Sequence, residues 1–413
     1  MLKRSLLFFV ILFNCLLVMV HAESTYTIVV QVEQNADLGR VSEALNGNVI
    51  DAMPGNTYLM TVSRWPAVLP AGVVSIEADG RTQLPAIYGA ILKSSAADSA
   101  WYRNQPSLKL VNLDQALKVA TGRGVVIADI DSAVDVHHPA LRGHLIAGAD
   151  FVSKQAPGCA AATNQSSASF LDQSSASFLD QSSASFLDQS SASFLDQSSA
   201  SFLDQGNAAH GHGTMVAGLL AAMAPDAMIM PIRAFDDNGC GDTFRIAKAI
   251  RYAVANGAQV INLSFGVSGN SAALRAAIDH AARSNVIFIA SAGNMNTDAP
   301  QAPASFKNVI GTAAVDMNDR KAAFSNYGIN AQVAAPGVNI ISAYPGGYYA
   351  IVSGTSFASP MVAAEAALLR SLNTTAGESA ITAGTVNIDV QNPDFAGRLG
   401  AGRIELLRAV SQQ

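Results

Sequence analysis

Apolar residues follow two different rhythms along this chain. Before residue 84 they come in short β-rich runs, such as Tyr26-Thr-Ile-Val-Val-Gln-Val32. Similar runs at 56–62 and 73–77 predict further strands, and 38–45 suits a short helix. Together they make a small α+β module. A stretch rich in Ala and Ser follows at 90–104 and reads as a linker. From Gly122 the pattern changes to apolar strands at 125–130, 227–232, 260–265, 286–290 and 309–314. Helical patterns at 244–256, 271–284 and 356–372 lie between or after them. Strands that are apolar on both faces and alternate with helices belong to a parallel sheet covered on both sides. The expected fold class is therefore α/β, a three-layer sandwich around a mostly parallel sheet.

One segment breaks this pattern. Gln165-Ser-Ser-Ala-Ser-Phe-Leu-Asp172 recurs unchanged from 173, 181, 189 and 197, giving five octapeptides over residues 165–204. A period of eight fits neither a helical repeat nor the 20–50-residue units of solenoids. The array carries acidic residues and no Lys or Arg. It reads as an acidic loop inserted into the α/β region, with a small stacked sheet as the alternative, since an even period keeps each Phe and Leu on one face of a strand.

The first residues read as an export signal. Lys3 and Arg4 precede an apolar run over 6–20, and Val20-His21-Ala22 offers a small residue for cleavage. The run is shorter than the roughly 20 residues of a bilayer span, so no stable membrane span is expected once 1–22 is removed. An uncleaved anchor is the rival reading. Half of the 413 residues are hydrophobic and 14% are charged, which supports a large buried core and excludes global disorder. With 25 basic and 31 acidic residues the net charge is −6, and no basic stripe marks a nucleic-acid partner.

Candidate chemistry lies in three segments. Val125-Val-Ile-Ala-Asp-Ile-Asp131 is an apolar strand ending in a carboxylate, where open α/β sheets present functional groups. His210-Gly-His-Gly-Thr-Met-Val-Ala-Gly-Leu219 puts a histidine at the start of an apolar helix. Gly354-Thr-Ser-Phe-Ala-Ser-Pro360 puts a serine at the start of a long one. Asp, His, Ser is one of the chain orders of nucleophile triads. In isolation Gly-Thr-Ser before a helix is only a capping signature. His210, His212, His137 and His138 could instead be grouped as metal ligands, but this would take the base away from the triad. Asp129 reads as structural rather than catalytic.

These segments resemble the motifs of the subtilisin-like serine peptidases, the subtilases. Flanking text agrees at Ile261-Asn-Leu-Ser-Phe-Gly266, Ser291-Ala-Gly-Asn294, Ala323-Phe-Ser-Asn-Tyr-Gly328 and Ala334-Ala-Pro-Gly-Val-Asn-Ile340. The resemblance implies Asp131, His212 and Ser356 as catalytic triad. It implies the Asn294 amide and the Ser356 backbone N–H as oxyanion hole, and Ser264, Phe265 and Gly266 as the strand that pairs with an extended substrate. It further implies an inhibitor-like propeptide at 23–84 after the leader at 1–22. A linker at 85–105 would then precede a peptidase domain at 106–413, interrupted by an insertion at 155–209. The expected partners are protein or peptide substrates and the chain's own propeptide, in a secreted protein, extracellular or periplasmic.

Three departures from the family pattern matter. Ala133 stands where the aspartate motif usually has Gly, and Met215 stands where a second His is common. Only Met223-Ala-Pro-Asp226 separates the His helix from the next strand. The calcium-binding loop found there in some subtilases is absent, so no metal or other cofactor is expected. Cys240 resembles part of the loop beside the substrate cleft, and Cys159 begins the insertion, so a Cys159–Cys240 bridge would tether the insertion there. The competing functional class is an inactive relative that serves as a surface binding protein with the repeats as its contact region.

Overall fold

The computed structural model describes residues 25–85, 87–92, 100–152 and 209–413. The leader, Cys159 and the octapeptide array lie outside the described residues.

The N-terminal module is a four-stranded antiparallel sheet and one helix. Its strands are β1 (Tyr26–Val32), β2 (Gly47–Met53), β3 (Thr57–Val62) and β4 (Val73–Ala78), in the order β2-β3-β1-β4. Helix α1 (Leu38–Leu45) begins at Asp37, whose carboxylate accepts from Gly39 N and Arg40 N, and ends at left-handed Asn46. The period of two in β1 divides its side chains. Ile28, Val30 and Val32 meet Val41 and Leu45 of α1, whereas Val29 joins the core of the large domain.

The module docks through two carboxylates. Glu77 accepts from Ser271 Oγ (2.8 Å), Ala272 N (2.6 Å) and Ala273 N (3.0 Å), at the start of the helix Ala272–Arg283. Asp79 accepts from Phe244 N (3.1 Å) and Thr243 Oγ1 (3.3 Å), at the start of the helix Thr243–Ala255. Helix N-termini carry unsatisfied N–H donors, so the oxygens of each carboxyl group meet ready-made partners, although at Asp79 burial and Asp242 outweigh these donors and disfavour the charged form.

The chain next forms β5 (Arg81–Gln83) and β6 (Tyr88–Leu92). The large sheet comprises β7 (Val126–Asp131), β8 (Ala149–Asp150), β9 (Met228–Arg233), β11 (Val260–Leu263), β12 (Ile287–Ser291), β13 (Val309–Val315) and β14 (Val333–Pro336). Their order is β14-β13-β12-β11-β7-β9-β8 and every pairing is parallel. Helices α2 (His212–Met223) and α5 (Thr355–Leu372) pack on one face, α3 (Thr243–Ala255) and α4 (Ala272–Arg283) on the other. Alternation in β7 shows the division: Ile127 joins the α2–α5 layer, and Ala128 and Ile130 join the α3–α4 layer. This is the expected three-layer α/β sandwich.

Two small sheets were not predicted. Strand β10 (Cys240–Asp242) pairs antiparallel with β5, and β15 (Ile340–Tyr344), β16 (Tyr348–Ser353) and β6 form a three-stranded sheet. Residues 88–92, read as linker, therefore form a strand of the large domain's own periphery. The run Tyr88-Gly-Ala-Ile-Leu92 is short and carries a glycine, and its hydrogen-bond partners come from β16, far along the chain.

Candidate active site

Each functional side chain sits where a strand or helix ends. Asp131 is the last residue of β7, His212 the first of α2, and Ser356 the second of α5. All three are buried. Asp131 Oδ1 accepts from Ser132 N at 2.6 Å. Ser132 Oγ accepts from Gly213 N (3.1 Å), and Thr214 Oγ1 accepts from Asp135 N (2.9 Å), so the aspartate turn and the histidine helix are joined at two points. A Cβ at position 213 would stand 2.6 Å from Ser132 O, so Gly213 is what lets the helix approach this closely.

His212 Nδ1 lies 2.8 Å from both Asp131 oxygens. A carboxylate only accepts, so Nδ1 carries the proton and Nε2 holds a free lone pair. Nε2 is buried and has no hydrogen-bond partner among the described residues. Ser356 Oγ donates to Ser264 O (3.0 Å), and Ser264 Oγ donates to Ser356 O (2.9 Å). The two serines thus fix one another across β11 and α5.

Asn294 follows β12. Its Oδ1 accepts from Thr355 N (3.0 Å) and Thr355 Oγ1 (2.7 Å), which leaves the Nδ2 group as its available donor beside Gly354. Gly293 N donates to Thr355 Oγ1 (3.1 Å) and ties the two segments together. The role of Thr355 was not anticipated, although it precedes Ser356 in the serine motif.

The expected substrate strand is divided in its roles. Phe265 is fully buried against Phe235, with ring centroids 4.8 Å apart, and belongs to the core. Gly266 O accepts from Thr82 Oγ1 at 2.5 Å, while Thr82 pairs with Gly241 in β10 and Leu84 N donates to Gly239 O (2.8 Å). Residues 81–84 therefore run extended along 239–242, with Thr82 also bonded to Gly266. Cys240 is disulfide-bonded.

The alternative metal grouping does not assemble. His138 Nε2 donates to Tyr348 O (2.8 Å) and its Nδ1 accepts from Ala140 N (3.1 Å), while exposed His210 packs on Tyr344. No group of three or more His, Cys, Asp or Glu able to hold a metal occurs among the described residues.

The family model described as "Subtilase family" matches residues 122–402. The thermophilic serine proteinase of Bacillus sp. (strain AK1) is 38% identical over 269 residues, which cover 62% of this chain and 55% of that protein. Thermitase of Thermoactinomyces vulgaris is 34% identical over 271 residues, covering 63% of this chain and 80% of that protein. The crystal structure of fervidolysin from Fervidobacterium pennivorans matches with a TM-score of 0.69 at 23% identity, over 94% of this chain and 61% of that one. The chain thus spans little more than half the length of the Bacillus protein, and the fervidolysin match speaks to the fold alone.

Proposed function

The chain belongs to the subtilase family, and on that footing we propose that it is a serine endopeptidase that hydrolyses peptide bonds through Asp131, His212 and Ser356. The observation that carries this reading is the buried Asp131–His212 pair, which leaves Nε2 with a free lone pair. A serine hydroxyl is too weak an acid to attack a carbonyl unaided. With Oγ held in place, the Ser356 hydroxyl turns its proton from Ser264 O to Nε2, gives it up there, and Oγ attacks the carbonyl carbon. Asp131 stabilises the imidazolium, which then protonates the leaving amine. Collapse of the tetrahedral adduct breaks the C–N bond and leaves the acyl-enzyme ester, which a water, giving its proton to Nε2, cleaves to the free acid and Ser356. The Asn294 amide and the Ser356 N–H meet the developing oxyanion, and the N-terminal dipole of α5 favours the same charge.

The finer organisation belongs to the same proposal. Residues 1–22 are a leader for export, 23–84 an inhibitor-like propeptide, 106–413 the peptidase domain, and 155–209 an insertion carrying the repeats. Self-cleavage falls within 85–105. The extended run 81–84 alongside β10 and Gly266 supports this order, since it holds the chain just before that stretch in a substrate-like strand. Cys240 pairs with Cys159, the remaining cysteine outside the leader.

Incubation of the purified secreted chain with casein, with and without a fluorophosphonate, tests the activity. The expected result is casein fragments that vanish with the inhibitor. N-terminal sequencing of the active protein should begin after residue 84. Active protein that begins at Glu23 contradicts the maturation scheme.

A further inference from the structure

Asp129 is a second carboxyl buried beside the triad. It lies two residues before Asp131 in β7 and so faces the same α2–α5 layer. It is completely buried. Its Oδ1 accepts from Asn262 Nδ2 (3.1 Å), and its Oδ2 has no hydrogen-bond partner among the described residues. The same Asn262 Nδ2 group donates to Ser264 Oγ (3.0 Å), and Asn262 Oδ1 accepts from Ser359 Oγ (2.8 Å). Ser264 then exchanges two hydrogen bonds with Ser356. An unbroken chain of buried side chains leads from Asp129 through Asn262 and Ser264 to the nucleophile.

We propose that Asp129 is a positioning residue, acting through Asn262 and Ser264 to set the orientation of Ser356. The proposal rests on the serine endopeptidase reading. An amide can turn about its last torsion at little cost unless its partners fix it. Ser359 holds the oxygen of Asn262, and Asp129 holds one N–H, so the other N–H must point at Ser264 Oγ. Ser264 Oγ then spends its own proton on Ser356 O. Its carbonyl receives the Ser356 hydroxyl. Without an acceptor at 129 the amide loses its anchor and the Ser264 hydroxyl its fixed direction.

Asp129 does this as an uncharged acid. Burial first, then the charge of Asp131, push its carboxyl well above the usual carboxylate range. The proton sits on Oδ2, where a buried O–H without a partner costs far less than a buried O⁻. Oδ1 remains an acceptor. The negative charge that His212 feels therefore comes from Asp131, and Asp129 adds direction without competing for the imidazolium.

The test uses the full-length, self-processed enzyme, with active sites counted by fluorophosphonate labelling so that rates are per folded site. Asp129→Asn keeps a neutral acceptor in nearly the same place and should retain kcat within about threefold. Asp129→Leu removes the acceptor and fills the space. It should lower kcat by about 10- to 100-fold with KM within about twofold, while the unfolding temperature stays level or rises. Asn262→Ala should show the same kcat loss, and the double variant Asp129→Leu/Asn262→Ala should lose no more than either alone. If Asp129→Leu does not fold, Asp129→Asn and Asn262→Ala decide. Parent-like kcat in Asn262→Ala or Asp129→Leu overturns the proposal. So does a loss in Asp129→Asn as large as in Asp129→Leu, because the acid would then be required. A parent protein that cleaves nothing and takes no label is instead a failure of the endopeptidase reading. The crystal structure of Asp129→Leu still decides then: Ser356 Oγ leaves Ser264 O if the proposal holds, and unmoved Asn262, Ser264 and Ser356 overturn it.

Discussion

His212 Nδ1 is equidistant from the two carboxylate oxygens of Asp131, at 2.8 Å each, with both side chains fully buried. Asp131→Asn replaces one acceptor by a donor, which opposes the Nδ1–H tautomer and favours the proton on Nε2. The variant should fold and bind substrate, with kcat lower by on the order of 10⁴-fold. Steady-state kinetics on a chromogenic peptide check this, and an undiminished kcat removes Asp131 from the mechanism.

Asn294 is aimed by Thr355, whose N–H and hydroxyl both bond Asn294 Oδ1. Asn294→Leu should lower kcat by about 100- to 1,000-fold with little change in KM. Thr355→Val leaves the backbone bond to Asn294 in place, removes the hydroxyl's bonds with Asn294 Oδ1 and Gly293 N, and should cost less, about 5- to 20-fold in kcat. Equal losses in the two variants would show that Thr355 does more than aim the amide.

Much of this arrangement was legible in the chain before folding. Asp131, His212 and Ser356 lie in short local strings whose residue types state their chemistry, and apolar runs with flanking helices specify a parallel sheet. What escaped depends on partners distant in sequence. Tyr88–Leu92 is short and carries a glycine, yet forms β6 because β16 offers it a free edge. Asn262 contacts Asp129 across 133 positions. The parity of Asp129 with Asp131 was visible, but nothing local shows that an amide waits opposite it. Glu77 and Asp79 look like ordinary surface acids until two helix N-termini are placed against them.

Asp79 makes docking of the N-terminal module pH-dependent. Burial first, and Asp242 second, push its carboxyl from 3.8 to about 7, against the opposing pull of Phe244 N, Thr243 and Arg81. A docked value above the free one means that docking takes up a proton in between. Affinity is therefore full on the acid side, falls by up to about tenfold per pH unit as the pH rises toward 7, and levels off above. Inhibition of the processed enzyme by the separate module 23–84, measured from pH 5 to 8, should follow this curve. Asp79→Asn should flatten it. An affinity that rises with pH contradicts the account.

Glu365 is fully buried in α5, and neither carboxyl oxygen has a hydrogen-bond partner among the described residues. Burial, with Glu405 adding repulsion, holds its carboxyl well above the usual range. Its contribution to stability is fully present below the unfolded value of about 4.3 and is lost as the pH rises through the folded value. Glu365→Met keeps the shape without the titrating group. In a Ser356→Ala background, which prevents autolysis, it should be more stable at pH 8 by on the order of 1–3 kcal/mol, with the gap narrowing toward pH 5. Thermal unfolding at both pH values reads this, and a gap that widens on acidification is the opposite of the prediction.

The nucleophile is the centre of the account, and one comparison tests it most directly. Parent and Ser356→Ala proteins are treated with a fluorophosphonate, digested and mapped by mass spectrometry, and assayed on casein in parallel. The prediction is one adduct per parent molecule, on the peptide containing Ser356, together with casein cleavage. Ser356→Ala should show neither, with an unchanged unfolding temperature for the equivalent unprocessed chain. Undiminished hydrolysis by Ser356→Ala, or stoichiometric labelling at another residue, contradicts the assignment.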